Sequence, residues 1–105
     1  MIKVSILYPY RENVRFDFDY YCGTHMTRAA QYFEPALKGW SVDKGLSGGE
    51  PNSAASFVAA GHFLFDSLEA FQQVFAPVAG ELVADIPNYT DSEPQIVISE
   101  VIVSH

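Results

Sequence analysis

The sequence is short of positive charge. Six lysines and arginines stand against thirteen aspartates and glutamates, a formal net charge of −7. Such a chain repels a phosphate backbone and has no basic stripe for counterion release, so nucleic acid is not an expected partner. Cysteine is almost absent. Cys22 alone cannot close an internal disulfide, and a reducing cytoplasm is the expected setting. Met1 is followed by a strand-like run instead of a charged start and a long apolar core, so neither a secretory signal nor a membrane span is expected. The signatures that hold cofactors are missing too. His25, His62 and His105 show no short ligand spacing, and HExxH and CxxC do not occur, which argues against a metal. No GxGxxG follows the first strand and no GxxxxGK[ST] occurs, which argues against nicotinamide, flavin and nucleotide binding. No cofactor is expected.

What the chain does hold is an alternation of strand and helix signals around the stretch Ser56 to Phe71. From Ser56 to Phe65 there is no Asp, Glu, Lys, Arg or Pro, the profile of an interior strand covered on both faces. Asp66 with Glu69 three residues on has the form of a capping box, and the second helix is expected to start there. Earlier, Ile2, Val4, Ile6 and Tyr8 alternate with Lys3, Ser5 and Leu7 in the period of a strand that Pro9 ends. Asp17 after Phe16 reads as an N-cap with its staple residue. Phe18, Tyr21, Cys22, His25, Ala29, Tyr32 and Phe33 then trace one stripe down a first helix that Pro35 closes. Trp40 and Val42 opposed to Ser41 and Asp43 predict an edge strand with one wet face, followed by a glycine-rich hairpin loop. Leu68, Phe71, Phe75, Val78 and Leu82 keep a helical stripe that Pro77 should kink or split. A polar loop from Asp85 to Glu93 carries Tyr89. The last strand, Gln95 to Ser104, is apolar on both faces.

The order strand, helix, strand, strand, helix, strand predicts one α+β domain over residues 1–105 with the ferredoxin-like βαββαβ topology. Right-handed crossovers place both helices on one face of a four-stranded antiparallel sheet. The other face stays open, yet the third and fourth strands are apolar on both sides, so a homodimer is expected. Pairing of the edge strands across it would close a dimeric α+β barrel with the helices outside.

Three segments together resemble the EthD family of dimeric α+β barrels. They are Asp17-Phe18-Asp19-Tyr20-Tyr21-Cys22-Gly23-Thr24-His25-Met26, Gly61-His62-Phe63-Leu64-Phe65-Asp66-Ser67 and Asp85-Ile86-Pro87-Asn88-Tyr89-Thr90-Asp91. The likeness runs from Met1 to Val103, with one departure: many members carry proline after His-Met, where this chain has Thr27. The family name comes from a gene cluster for ethyl tert-butyl ether degradation, in which the protein accompanies a cytochrome P450 system. Similar domains include a muconolactone methylisomerase and fungal polyketide-tailoring enzymes that work without metal or organic cofactor on small cyclic substrates. The resemblance thus implies a role in the catabolism of hydrophobic ether, aromatic or lactone compounds. Two function classes stay open: a cofactor-free isomerase, lyase or oxygenase-like enzyme, and a non-catalytic accessory or small-molecule-binding protein that supports a monooxygenase system.

His25 is the candidate catalytic residue. It lies on the buried stripe with Tyr21 one turn before it and Ala29 one turn after, and the resemblance implies a general base there. The plainer reading is a core histidine satisfied by a backbone carbonyl. Burial should push its pKa below about 6.5 unless a carboxylate such as Asp85 approaches. Tyr21, Trp40, His62, Tyr89 and Asp85 are candidate ligand-binding residues around a pocket between the first helix and the sheet. His62 shares a strand face with Val58, Ala60 and Leu64, while Ala59 and Gly61 are small enough to let helices approach. That would aim His62 at the open face, and a bulge at Gly61 would reverse it. Cys22 has no base at nucleophilic spacing and reads as a small buried hydrophobe.

Overall fold

A computed structural model describes residues 1–105. Four strands, β1 (Ile2–Pro9), β2 (Leu37–Lys44), β3 (Phe57–Phe65) and β4 (Gln95–Glu100), form one antiparallel sheet in the order β2-β3-β1-β4. This is the expected ferredoxin-like arrangement, with β1 and β3 interior and β2 and β4 at the edges. The helices form two arms. The first is α1 (Phe18–Tyr20), a π turn (Tyr21–His25) and α2 (Met26–Phe33); the second is α3 (Leu68–Phe75), α4 (Ala79–Asp85) and a 3-10 turn (Ile86–Asn88). No helix is long and apolar enough to cross a membrane.

The strand register assigns each side chain to a face. Val4 lies opposite Phe63 and Ile98, and Ile6 opposite Gly61 and Ile96, so these residues share the face under the helices. Ser5 lies opposite His62 and Val97 on the other face. His62 therefore points to the open side: the β1–β3 register runs unshifted through Gly61, so no bulge there reverses it. Gly61 has a definite role in this: a Cβ there would run into the Tyr21 hydroxyl and the Met26 side chain. The first arm can lie so close to β3 only because that position has no side chain.

Asp17 caps the first arm as expected, its carboxylate accepting from the Tyr20 amide at 3.0 Å. The π turn is not visible in the periodicity. In it the Met26 amide donates to the Tyr21 carbonyl, and the Thr27 hydroxyl donates to the Cys22 carbonyl at 2.9 Å. Thr27, at the position where proline is common in the family it resembles, thus satisfies a carbonyl of the widened turn. One extra residue in a turn rotates the remainder of the helix about its axis, so Met26 joins His25 on the buried face while Tyr32, expected on the stripe, comes out to solvent.

Two boundaries differ from expectation. The second arm is capped by Ser67, whose hydroxyl accepts from the Ala70 amide at 3.1 Å, and not by Asp66. Asp66 is exposed and pairs with Lys38 at 3.6 Å. The chain is still extended at Ser67, so the serine, one residue nearer the helix, meets the free amide. β4 also ends at Glu100, short of the expected Ser104: β1 starts at Ile2, and beyond it the N-terminus offers β4 one backbone bond, from the Val101 amide to the Met1 carbonyl at 3.0 Å. Pro77 splits the second arm, with α3 ending at Phe75 and α4 beginning at Ala79.

Gly61→Ala is expected to lower stability by about 1–3 kcal/mol by overpacking against Tyr21 and Met26. Chemical denaturation of the variant checks this, and an unchanged midpoint would show that the first arm can shift freely away from β3.

Candidate active site

The loop after α4 is stitched to the segment before α1, and this brings the site together. The Asp17 amide donates to the Tyr89 carbonyl at 2.8 Å, and the Thr90 hydroxyl to the Arg15 carbonyl at 2.6 Å. Arg15 donates from its side chain to the Pro87 carbonyl at 2.8 Å and from its amide to Asp91 at 2.9 Å. Arg11 pairs with the same carboxylate at 2.9 Å. Asp91 is held below the usual carboxylate range by the Arg15 amide first and by Arg11 next.

This stitching seats Asp85 and Tyr89 over the π turn. One Asp85 oxygen accepts from the Tyr20 hydroxyl at 2.7 Å and from the Asn88 amide at 2.8 Å; the other accepts from His25 Nδ1 at 2.9 Å. Burial opposes ionisation of Asp85, but the hydrogen bonds from Tyr20, Asn88 and His25 together outweigh it and hold its pKa at about 2. His25 is 7% exposed. Burial lowers its pKa from 6.5 more strongly than the Asp85 hydrogen bond and charge raise it, so near neutrality the ring is a neutral base. The approach of Asp85 was the one circumstance expected to prevent this shift, and desolvation prevails over it. An ionised carboxylate has no hydrogen to give, so Nδ1 carries the proton and Nε2 the lone pair. Nε2 lies 3.5 Å from the Tyr89 hydroxyl, which is 2.6 Å from that of Tyr8.

Beside this group lies a cavity of about 860 Å³ between the helices and the sheet, within the range of small-ligand sites. Its walls are apolar: Val4, Ile6, Ile96 and Ile98 from the sheet, Ala29 and Phe33 from α2, and Phe71, Phe75, Leu82 and Ile86 from the second arm. Tyr8, Tyr21, His25, Thr90 and Ser92 are polar members of its lining, and Arg15, Asp91 and Glu93 are charged ones. Ile96 and Ile98 remain 56% and 47% exposed, so the cavity is open along β4.

The candidate residues fall into three places. Tyr21 and His25 line the cavity. Asp85 and Tyr89 stand behind it, buried and hydrogen-bonded to His25. Trp40 and His62 are not brought to it: Trp40 is on the helix side of edge strand β2, 43% exposed, and His62 is on the opposite sheet face. There His62 Nδ1 lies 2.8 Å from the Ser5 hydroxyl, and Nε2 lies 3.0 Å from Asp43. The order Ser-His-Asp is that of a nucleophilic relay, but Ser5 sits mid-strand between β3 and β4, where the ladders take up the amides an oxyanion hole would need. Cys22 is half-buried, and burial, then Asp19, raises its pKa. Nowhere do three His, Cys, Asp or Glu side chains converge as metal ligands. Tyr8 was missed. Its signal, a hydroxyl at the end of an alternating strand, looks in sequence like one more core aromatic.

The EthD domain matches residues 13–93 of the chain. The protein belongs to the EthD family. The likeness to an EthD-like protein from Ralstonia eutropha is high, with 40% identity, a TM-score of 0.94, and 99% of this chain and 94% of that one covered. An ethyl tert-butyl ether degradation (EthD) family protein from Bacillus halodurans is 20% identical with a TM-score of 0.68, covering 97% and 99% of the two chains. SnoaB, a cofactor-independent oxygenase from Streptomyces nogalater, shares the fold at 13% identity and a TM-score of 0.58, covering 98% and 93%. No curated protein sequence matches the chain.

The shifted pKa values predict the acid response of this EthD protein. The folded imidazole binds a proton less readily than the unfolded one, so in the window below 6.5 the unfolded chain takes up more protons and stability falls as pH drops. Asp85 adds to this lower down: its contribution is present above 3.8 and is lost as pH falls toward about 2. The urea midpoint should decline as pH is lowered from about 7.5 to about 5, and more weakly in His25→Gln. A wild-type midpoint flat across that range would contradict the buried neutral imidazole.

Proposed function

We propose that this EthD protein is a cofactor-free acid–base catalyst for a small hydrophobic ring compound, with His25 as its base. The observation that carries this reading is the His25–Asp85 pair beside an apolar cavity. A neutral imidazole whose Nδ1 hydrogen is held by an ionised carboxylate keeps a basic Nε2 lone pair, and the imidazolium formed on taking a proton is stabilised by the same carboxylate. Aromatic and aliphatic walls favour an apolar substrate. Proton removal and return of this kind suits an isomerase or lyase, and it can also generate the electron-rich anion on which a cofactor-free oxygenase acts.

Native mass spectrometry of freshly purified protein identifies any co-purifying compound, and the compound so found is the ligand for His25→Gln. As an enzyme, the variant should keep its fold and lose turnover by about 10²- to 10⁴-fold. A non-catalytic accessory of a monooxygenase system would instead show no wild-type turnover, with affinity weakened in the variant by about one hydrogen bond, roughly 0.5–1.5 kcal/mol. A loss of stability with binding and turnover both unchanged would reduce His25 to a core residue.

We also infer that the protein acts as a homodimer. Val97 is 44% exposed on the open sheet face, beside the Ser5–His62–Asp43 network and Leu64, and β4 rests chiefly on β1. A solved structure with the same fold, from Thermobifida fusca, is described as a dimeric ferredoxin-like protein (16% identity, TM-score 0.58, 95% and 90% covered). Sedimentation should give about twice the chain mass of 11.6 kDa. Val97→Glu should produce monomer, because an unpaired charge buried between two sheets costs several kcal/mol. A dimer that persists in this variant would place the interface elsewhere.

A further inference from the structure

The imidazole is part of the cavity wall, and its Nε2 is also joined to the cavity through two hydroxyl groups. The hydrogen on His25 is on Nδ1, held by Asp85, and the polar partner of the Nε2 lone pair is the Tyr89 hydroxyl at 3.5 Å. Tyr89 is fully enclosed and does not reach the cavity. Its hydroxyl is 2.6 Å from that of Tyr8, and Tyr8 does line the cavity.

We propose that Tyr8 and Tyr89 form a proton wire between the cavity and the His25–Asp85 pair, and that Tyr8 is the group that exchanges the proton with the bound molecule. The inference rests on the reading of His25 as a base and adds the route by which the proton reaches it. The wire requires that in the resting chain Tyr8 donate to Tyr89 and Tyr89 to His25 Nε2, so that the Tyr8 oxygen, which has the Tyr21 hydroxyl beside it, keeps a lone pair for the bound molecule. When the substrate C–H or O–H bond breaks, its electron pair stays on the substrate and its proton bonds to the Tyr8 oxygen. The Tyr8 hydrogen passes to Tyr89 and the Tyr89 hydrogen to Nε2. Three bonds to hydrogen break and three form. His25 ends as an imidazolium against the Asp85 carboxylate, and the hydroxyls now point the other way, with Tyr8 donating to the substrate anion. Return of the proton to a different atom completes an isomerisation without a co-reactant.

The surroundings favour a concerted passage. Burial, the leading cause in each case, raises the pKa of both Tyr8 and Tyr89, so neither rests as a phenolate. The 3.5 Å contact is the slack link, and such contacts tighten when a ligand fills the site. The groups that face His25 and bear on its titration are Asp85 from α4, Arg28 from α2, Tyr21 from the π turn and Tyr89 from the following loop. Among them Asp85 and Tyr89 hydrogen-bond to the ring, one on each nitrogen.

The test needs no natural substrate. In protein labelled with ¹³Cζ-tyrosine, the Tyr8 and Tyr89 resonances should both move with the midpoint of the His25 ring as pH is lowered. In Tyr89→Phe the His25 titration should remain while Tyr8 loses that step; in Tyr8→Phe, Tyr89 should keep it. A Tyr8 resonance that ignores His25 in the wild type, or follows it in Tyr89→Phe, overturns the wire. A second readout uses 2-tetralone, an enolisable bicyclic ketone, in D₂O. Exchange of its α-hydrogens should be accelerated by the wild type and reduced by about 10²-fold alike in His25→Gln, Tyr89→Phe and Tyr8→Phe. Loss in His25→Gln alone, with both tyrosine variants at the wild-type rate, overturns the wire and leaves the base reading standing. Coupled resonances without acceleration in the wild type remove the base reading and leave the hydroxyl chain established.

Discussion

Two helical arms lie over one face of a four-stranded sheet, and they cannot cover all of it. The first arm can settle against β3 because Gly61 offers no side chain where the Tyr21 hydroxyl and Met26 press down. With that arm held there and the split second arm beside it, the helix-side face of β4 is left uncovered. The cavity is the space that results, walled by Ile96 and Ile98 on one side and by aromatic residues of both arms on the other. The opposite sheet face has no helix at all, and its half-buried residues include a hydrogen-bonded histidine.

Within that frame the polar chemistry is concentrated at one junction. Burying an imidazole, a carboxylate and several phenols would be costly if any were left without a partner. Here no fully buried side-chain nitrogen or oxygen lacks a hydrogen-bond partner. Asp85 accepts from three groups on two segments, which keeps it ionised and fixes the tautomer of His25. The hydrogen bonds between the 11–17 segment and the 86–92 loop hold this geometry from outside. Two histidines thus have opposite settings in one small chain: His25 enclosed beside the cavity, and His62 on the open face between a serine and an exposed aspartate.

Much of the fold was legible because its determinants are local. Alternation in β1, the uncharged run of β3, the Asp17 cap and the break at Pro77 each act within a few residues. The direction of His62 was half legible: small neighbours on its own strand aim it at the open face, but whether Gly61 bulges and reverses it depends on the pairing with β1. The misses were also local, but finer than the signals used. Choosing Ser67 over Asp66 as the cap depends on where the chain leaves its extended conformation, and a single widened turn leaves almost no trace in a short apolar stripe.

By itself the sequence determined the order of elements, which residues of a strand share a face, and the presence of a histidine on the inner face of the first helix. Those features arise from backbone periodicity and from the partition of apolar residues away from water. Only the tertiary structure decided what the histidine meets. His25 and Asp85 are sixty residues apart and Tyr8 and Tyr89 eighty-one, and contacts of that span depend on how both arms and the loop stitching close together. A tyrosine has the same pattern value whether its hydroxyl ends in solvent, in the core or in a chain of hydrogen bonds. Three-dimensional packing alone separates these cases, because a hydrogen bond is made or lost over a few tenths of an ångström.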